Sequence, residues 1–266
     1  MHVDPDPIGA GRDPEFLERV TPLLDVYTKW YRPDVRGFES LPAVGEPFLL
    51  AGNHNGGATP PDLPILLTAW WRERGYEEPV YGLFHSFFLS LPGVGTVMSK
   101  TGALDANPVD AERALRAGAP VVVYPGGDHE AFRPWSARDT IDFAGRKGFV
   151  RLALRTGVPI VPVTACGVQD SIMVLSRGES LVRWMPWLKP MRVKVMPIVL
   201  GAPTGLSLGW PTVPMPTRSI VQLGEPIDHG YGPDAADDDG VVDNLYEKVV
   251  STMQATMASL RRELRG

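Results

Sequence analysis

Leu49-Leu50-Ala51-Gly52-Asn53-His54-Asn55-Gly56-Gly57-Ala58-Thr59-Pro60-Pro61-Asp62 begins as a buried apolar run and breaks off at Asn53-His54. Two glycines, two prolines and an aspartate follow, then a second apolar run from Leu63 to Trp71 with helical character. The pattern reads as strand, sharp loop and helix. The loop carries an imidazole near the strand exit and a carboxylate where the helix starts. A neutral imidazole titrates near neutrality and can take a proton from an alcohol. A carboxylate that orients it and stabilises the imidazolium would complete a His54–Asp62 dyad. Gly56 and Gly57 let the backbone approach a substrate closely, with amides free to face developing negative charge. On this stretch alone another reading stays open: a solvent-facing histidine in a Gly/Pro loop, with Asp62 capping the next helix.

Upstream, residues 1 to 13 read as disordered. Pro14 starts a helix whose Phe16, Leu17, Val20, Leu23, Leu24, Tyr27, Trp30 and Tyr31 recur at three-to-four spacing until Pro33. Its aromatic end could touch lipid, but packing on the chain's own core is the expectation. Val35 to Glu39 reads as a short strand, and Phe48 to Ala51 as the buried strand that feeds His54. Downstream come a helix from Asp62 to Arg74, a strand over Pro79 to Leu83, two short helices hinged at Leu91-Pro92-Gly93, and a helix over Asp110 to Arg116. Ala119 to Tyr124 is a continuous apolar strand of the kind found in parallel sheets. It runs straight into Pro125-Gly126-Gly127-Asp128-His129-Glu130, a second strand-to-glycine junction. Loops at the carboxyl ends of strands in an open α/β sheet converge on one crevice, so the two junctions are expected to share a site. A helix from Gly148 to Arg155 precedes Val158 to Val163, whose prolines suggest an edge strand or a bulge. Beyond Ser171 the pattern turns irregular, with tryptophans beside prolines. A late strand covers Arg218 to Gly224. The last helix has an acidic start, a basic end and a stripe of Val242, Leu245, Val249, Met253, Met257 and Leu260.

The 266 residues contain no linker, so one α/β domain over 14–266 is expected. With 44% hydrophobic and 21% charged residues and a net charge of −5, a broadly basic nucleic-acid binder is excluded. The single Cys166 forbids an intramolecular disulfide and a cysteine-based zinc cluster. The start has neither a positive nor an apolar signal region, and no apolar run reaches the ~18 residues that would span a bilayer. A cytoplasmic compartment is expected.

Arg133, Arg138, Arg146 and Lys147 follow the second junction. Such cations suit a phosphate or acidic head group, or serve solubility alone. His54, Asp62, His129 and Glu130 are possible metal ligands by type but lack the short spacing of zinc motifs, so no metal is assigned. No Gly-x-Ser-x-Gly elbow, phosphate loop or dinucleotide fingerprint occurs, and Cys166 reads as a small buried residue.

The order of blocks resembles the glycerolipid acyltransferase family, the PlsC-like enzymes. His54 and Asp62 follow a strand; then come Lys100-Thr101-Gly102, Tyr124-Pro125-Gly126-Gly127-Asp128-His129-Glu130, and Val158-Pro159-Ile160-Val161-Pro162-Val163. Together they cover roughly residues 35 to 170. Two departures stand out. The family usually places four residues between its histidine and aspartate, whereas seven lie between His54 and Asp62. Its third block usually reads Phe-Pro-Glu-Gly-Thr-Arg; the Pro-Gly-Gly-x-x-Glu form here resembles a branch that includes diacylglycerol acyltransferase-like proteins. That form lacks the arginine expected to hold a lysophosphatidate phosphate, which leaves the acceptor open.

The resemblance implies a glycerol-3-phosphate acyltransferase-like fold: a mixed, largely parallel central sheet flanked by helices. It implies direct transfer of a fatty acyl group from acyl-CoA or acyl-carrier protein to a lipid hydroxyl, with no cofactor and no covalent intermediate. His54 becomes the general base and Asp62 its partner. Gly56, Gly57, Lys100, Gly102, Gly126, Gly127, Glu130 and Arg133 become substrate-binding residues, with oxyanion donors among the amides near Gly56 and Gly57. The lipid would be met at the inner face of the cell membrane, through tryptophan-bearing segments at Trp184–Leu188 and Leu206–Trp210. Two alternatives remain: a catalytically silent lipid-binding or scaffold protein, for which the long spacer argues, and a lipid hydrolase.

Overall fold

The computed structural model describes residues 4–57, 60–184, 195–201, 205–208 and 212–266. Helix α1 (Pro14–Lys29) starts where Asp13 accepts from the Phe16 amide at 3.0 Å and Pro14 supplies a preset φ. Strand β1 (Pro33–Arg36) follows, then β2 (Leu49–Gly52), α2 (Asp62–Arg74) and β3 (Tyr81–Phe84). Two short helices, α3 (Ser86–Leu89) and α4 (Val94–Lys100), lead to β4 (Ala103–Asp105) and α5 (Pro108–Arg116). Then come β5 (Val121–Val123), α6 (Gly127–Ala131), α7 (Gly148–Thr156), β6 (Ile160–Cys166), β7 (Met173–Ser176) and α8 (Glu179–Arg183). Strands β8 (Ile198–Gly201), β9 (Gly205–Ser207) and β10 (Ser219–Leu223) precede α9 (Asp239–Arg265).

Seven strands form one sheet in the order β1-β10-β6-β2-β5-β3-β4. Strands β6, β2, β5, β3 and β4 run parallel; β10 is antiparallel to β6, and β1 runs with β10. The architecture is therefore a single α/β domain with a mostly parallel central sheet flanked by helices. Alternation along β2 shows how the layers assemble. Leu49 and Ala51 join Leu115, Val150 and Val249 of α5, α7 and α9 on one face, while Leu50 joins Leu17, Leu66 and Trp70 of α1 and α2 on the other. All six stripe residues of α9 are buried. β7, β8 and β9 form a separate antiparallel sheet that the sequence pattern did not reveal.

Three expectations are corrected. Val158–Val163 is no edge strand: β6 lies third in the sheet, between β10 and β2. Pro162 is tolerated because it faces Gly224, one residue past the end of β10, where its carbonyl still accepts from the Gly224 amide at 2.8 Å. Residues 4–13 are not a disordered lead. Asp6 accepts from the Tyr81 hydroxyl at 2.7 Å, and the buried Arg12 donates to the carbonyls of Tyr76 and Glu78 at 2.6 and 3.0 Å. The second glycine junction is not loop throughout, since α6 begins at Gly127.

Candidate active site

β2 and β5 are parallel neighbours, with Leu49, Leu50 and Ala51 opposite Val121, Val122 and Val123. Their carboxyl ends are therefore level, and the two junctions leave the sheet side by side. Tyr124 stacks on the His54 ring with centroids 4.9 Å apart and planes at 28°. Gly52 makes room for this: a Cβ there would come within 2.6 Å of the Tyr124 ring.

The seven-residue spacer closes. Gly56 and Gly57 have φ of +88° and +68°, left-handed values that suit glycine, and they turn the chain back toward Pro60-Pro61. Asp62, at the first position of α2, then places Oδ2 3.0 Å from His54 Nδ1. The same oxygen accepts from the Asn55 amide at 2.6 Å, and Oδ1 accepts from Asn55 Nδ2 at 3.0 Å. Asp62 is 2% exposed, while the His54 side chain keeps 20% of its surface. Because an ionised carboxylate only accepts, the neutral imidazole carries its proton on Nδ1 and offers the Nε2 lone pair. His54 Nε2 has no hydrogen-bond partner among the described residues.

Glu130 and Arg133 are both fully buried, so neither is placed to touch a substrate as the sequence reading expected. Glu130 Oε2 accepts from the His54 amide at 3.0 Å; Oε1 accepts from Arg133 Nη1 at 3.0 Å and from the Asp142 amide at 3.2 Å. Burial pushes the Glu130 carboxyl up to about 7, against the opposing pull of the Arg133 guanidinium and the two amides. Gly126 is what lets this carboxylate reach His54. An added Cβ would overlap the Glu130 side chain well inside van der Waals contact.

The amides of Gly56 and Gly57 are not oxyanion donors. The first donates to Gln169 Oε1 and the second to the Ala131 carbonyl, both at 3.0 Å. Gln169 in turn donates to the Arg133 carbonyl at 3.0 Å. Lys100 and Gly102 lie at the amino end of β4, opposite the end that carries His54. There Lys100 pairs with Asp13 at 3.1 Å, and Gly102 turns with φ +85° beside the Val80 carbonyl. The cations after the second junction are committed as well: Arg146 to Asp128 at 2.9 Å, Arg138 to Asp170 at 3.2 Å and Lys147 to Asp243 at 2.6 Å. His129 pairs with Asp142 at 2.7 Å, and Arg177 of the segment after β7 lies 3.1 Å from the same ring nitrogen.

Asn55, Gln169 and Tyr124 were not anticipated in the site. Asn55 lies inside the decisive stretch, but asparagine is so common in turns that its type gives no signal. Gln169 is 113 residues from the glycine that it holds.

A profile of the family described as Acyltransferase matches residues 32–165. An uncharacterized protein of Mycobacterium tuberculosis is 32% identical over 256 residues, covering 94% of this chain and 68% of that protein. A Homo sapiens protein named DGAT1/2-independent enzyme synthesizing storage lipids is 25% identical over 233 residues, covering 88% of this chain and 63% of its own length. Among solved structures, the 1-acyl-sn-glycerophosphate acyltransferase PlsC of Thermotoga maritima superposes with a TM-score of 0.56 at 16% identity, over 92% of this chain and 79% of that one. The level strand ends, the closed His54–Asp62 pair and these matches lead to one statement: the chain belongs to the Acyltransferase family and is an acyltransferase.

Proposed function

We propose that the protein transfers a fatty acyl group from an acyl thioester, acyl-CoA or acyl-carrier protein, to a hydroxyl of a glycerolipid at a membrane surface. The observation that carries this reading is the His54–Asp62 pair, whose Nε2 has no partner among the described residues and belongs to a ring only partly covered. Nε2 takes the acceptor hydroxyl proton as its oxygen adds to the thioester carbonyl. The tetrahedral adduct then expels the thiolate, which recovers that proton from the imidazolium, so ester and free thiol leave with no covalent enzyme intermediate. The spacer that favoured a silent relative does not keep the pair apart, which removes the main argument for that alternative.

An uncharged acceptor fits better than a phosphorylated one. Where the family's usual third block has arginine, this chain has His129, and Asp142 occupies its Nε2 side. The storage-lipid name of the human relative points the same way. The membrane surface is supported by exposed apolar side chains at the carboxyl end of the sheet. Phe87, Phe88 and Val94 follow β3, and Leu175, Leu200 and Leu206 belong to the small sheet that follows β6. No helix among the described residues is long and apolar enough to cross a membrane. Of the tryptophans expected to insert, Trp184 is 83% exposed, whereas Trp187 and Trp210 lie outside the described residues.

The test is incubation with mixed acyl-CoAs and acyl-carrier proteins, presented with neutral and phosphorylated glycerolipids, and mass spectrometry of the products. A new neutral ester that disappears in His54→Ala, by at least ~10²-fold in rate, is the expected result. Free fatty acid formed without ester would assign a hydrolase instead. Unchanged turnover by folded His54→Ala would overturn the mechanism.

A further inference from the structure

The contacts around His54 join into a closed circuit. The His54 amide donates to Glu130, Glu130 accepts from Arg133, and Arg133 Nη2 donates to Asn55 Oδ1 at 2.5 Å. Asn55 Nδ2 donates to Asp62, and Asp62 returns to the imidazole. Donor and acceptor types fix every direction. A guanidinium only donates and a carboxylate only accepts, so Asn55 must face Arg133 with its oxygen and Asp62 with its nitrogen. A primary amide serves as the adaptor that lets a cation act on a carboxylate it does not touch. Everything in the circuit except the imidazole is buried.

We propose that Arg133, acting through Asn55, is a positioning residue for the transfer reaction, holding Asp62 and hence the Nδ1–H tautomer and ring orientation of His54. This rests on His54 being the general base. The role is distinct from the substrate contact first expected of Arg133, because no face of the guanidinium reaches solvent. The charged and polar groups in contact with His54 are Asp62 from α2, Glu130 from α6 and the Tyr124 ring after β5, and Arg133 reaches them through Glu130 and Asn55. Asp142, with its neighbours His129 and Arg177, adjoins through Glu130.

Asn55→Ala is the decisive variant, because it leaves the buried Arg133–Glu130 pair intact. The full chain is assayed across pH, and the ring nitrogens of His54 are followed by 15N NMR. Losing the amide leaves Asp62 Oδ1 without its donor, so the carboxylate attracts the imidazolium more strongly but is no longer held in one orientation against the neutral ring. The acid limb of kcat/KM therefore moves to higher pH. kcat should fall by about tenfold or more with KM for the acyl donor within about twofold, and the Nε2–H tautomer should appear beside Nδ1–H. Arg133→Met should move the limb the same way, since a cation is removed, and Arg133→Lys should move it less. If Arg133→Met does not fold, Asn55→Ala still decides. A pH limb, kcat and single tautomer unchanged in folded Asn55→Ala overturn the inference while His54 remains essential. If His54→Ala keeps its turnover, the functional reading itself fails, and the NMR arm alone then judges the positioning.

Discussion

Replacing Gly126 by alanine tests how the second junction supports the first. The backbone at Gly126 has φ −66° and ψ −27°, which any residue adopts, so the substitution carries no conformational strain of its own. Its whole effect is the methyl group, which claims the space occupied by the Glu130 Cγ and carboxylate. Glu130 must withdraw, giving up Arg133 at 3.0 Å and the amides of His54 and Asp142 at 3.0 and 3.2 Å. Above pH 7, where Glu130 is ionised, breaking this buried ion pair costs about 3–5 kcal/mol. At roughly 2–4 °C per kcal/mol for a chain of this size, Tm should fall by about 10 °C. The assay is thermal or urea unfolding of Gly126→Ala, Glu130→Ala and the double variant. Because Glu130→Ala has already vacated the space, adding Gly126→Ala to it should cost no more than about 0.5 kcal/mol. A loss below about 1 kcal/mol in the single variant, or the same loss in both backgrounds, would refute the steric account.

Asp62→Asn should keep fold and donor binding but lower kcat by ~10²-fold or more, because an amide no longer stabilises the imidazolium; steady-state kinetics decide it. Glu130→Gln should change the pH dependence of stability. The folded carboxyl is raised to about 7 from 4.5, so the native state holds the extra proton between those values and the wild type loses stability as pH rises through that window. The stability difference between Glu130→Gln and wild type should therefore shift in favour of the variant from pH 4.5 to 7, by up to about 3 kcal/mol, and a flat difference would exclude a buried titrating Glu130. Phe87→Ser with Phe88→Ser should weaken binding to neutral phospholipid vesicles by about tenfold or more at any salt concentration, with turnover of a short-chain soluble acceptor preserved. Unchanged sedimentation with vesicles would remove α3 from the membrane contact.

Elements with a long uniform period are legible in the sequence. The α9 stripe is buried at every position named for it, and α2 begins at Asp62 and ends at Arg74 as its pattern indicates. Short elements were not. β7, β8 and β9 are strands of 4, 4 and 3 residues, too brief for alternation to stand out from irregular chain. β6 was misplaced because two prolines outweighed its apolar run, and only knowledge of where β10 ends shows that Pro162 has no donor to supply there. In the site, the imidazole and carboxylate were visible by type. Their closure depends on the φ values of Gly56 and Gly57, which sequence spacing does not encode. Glu130 and Arg133 were expected to bind substrate, whereas the structure buries both against the backbone of His54 and the side chain of Asn55. Burial depends on what packs over a loop, and here that includes Gln169 from beyond β6.

The circuit around His54 also bears on how the chain acquires activity as it folds. The His54 and Asp62 side chains are only eight positions apart, but the Glu130 and Arg133 contacts span 76 and 78 positions, and the Gln169 contact to Gly56 spans 113. Each of these separations is closed only when β5 and β6 have docked on either side of β2. Loop closure over such distances comes late and slowly in chains dominated by non-local pairing. A nascent strand β2 with its loop therefore holds His54 and Asp62 in sequence but not in the geometry of the folded site. On refolding from denaturant, catalytic competence should return with the slowest phase of sheet assembly, after helical signal has already recovered.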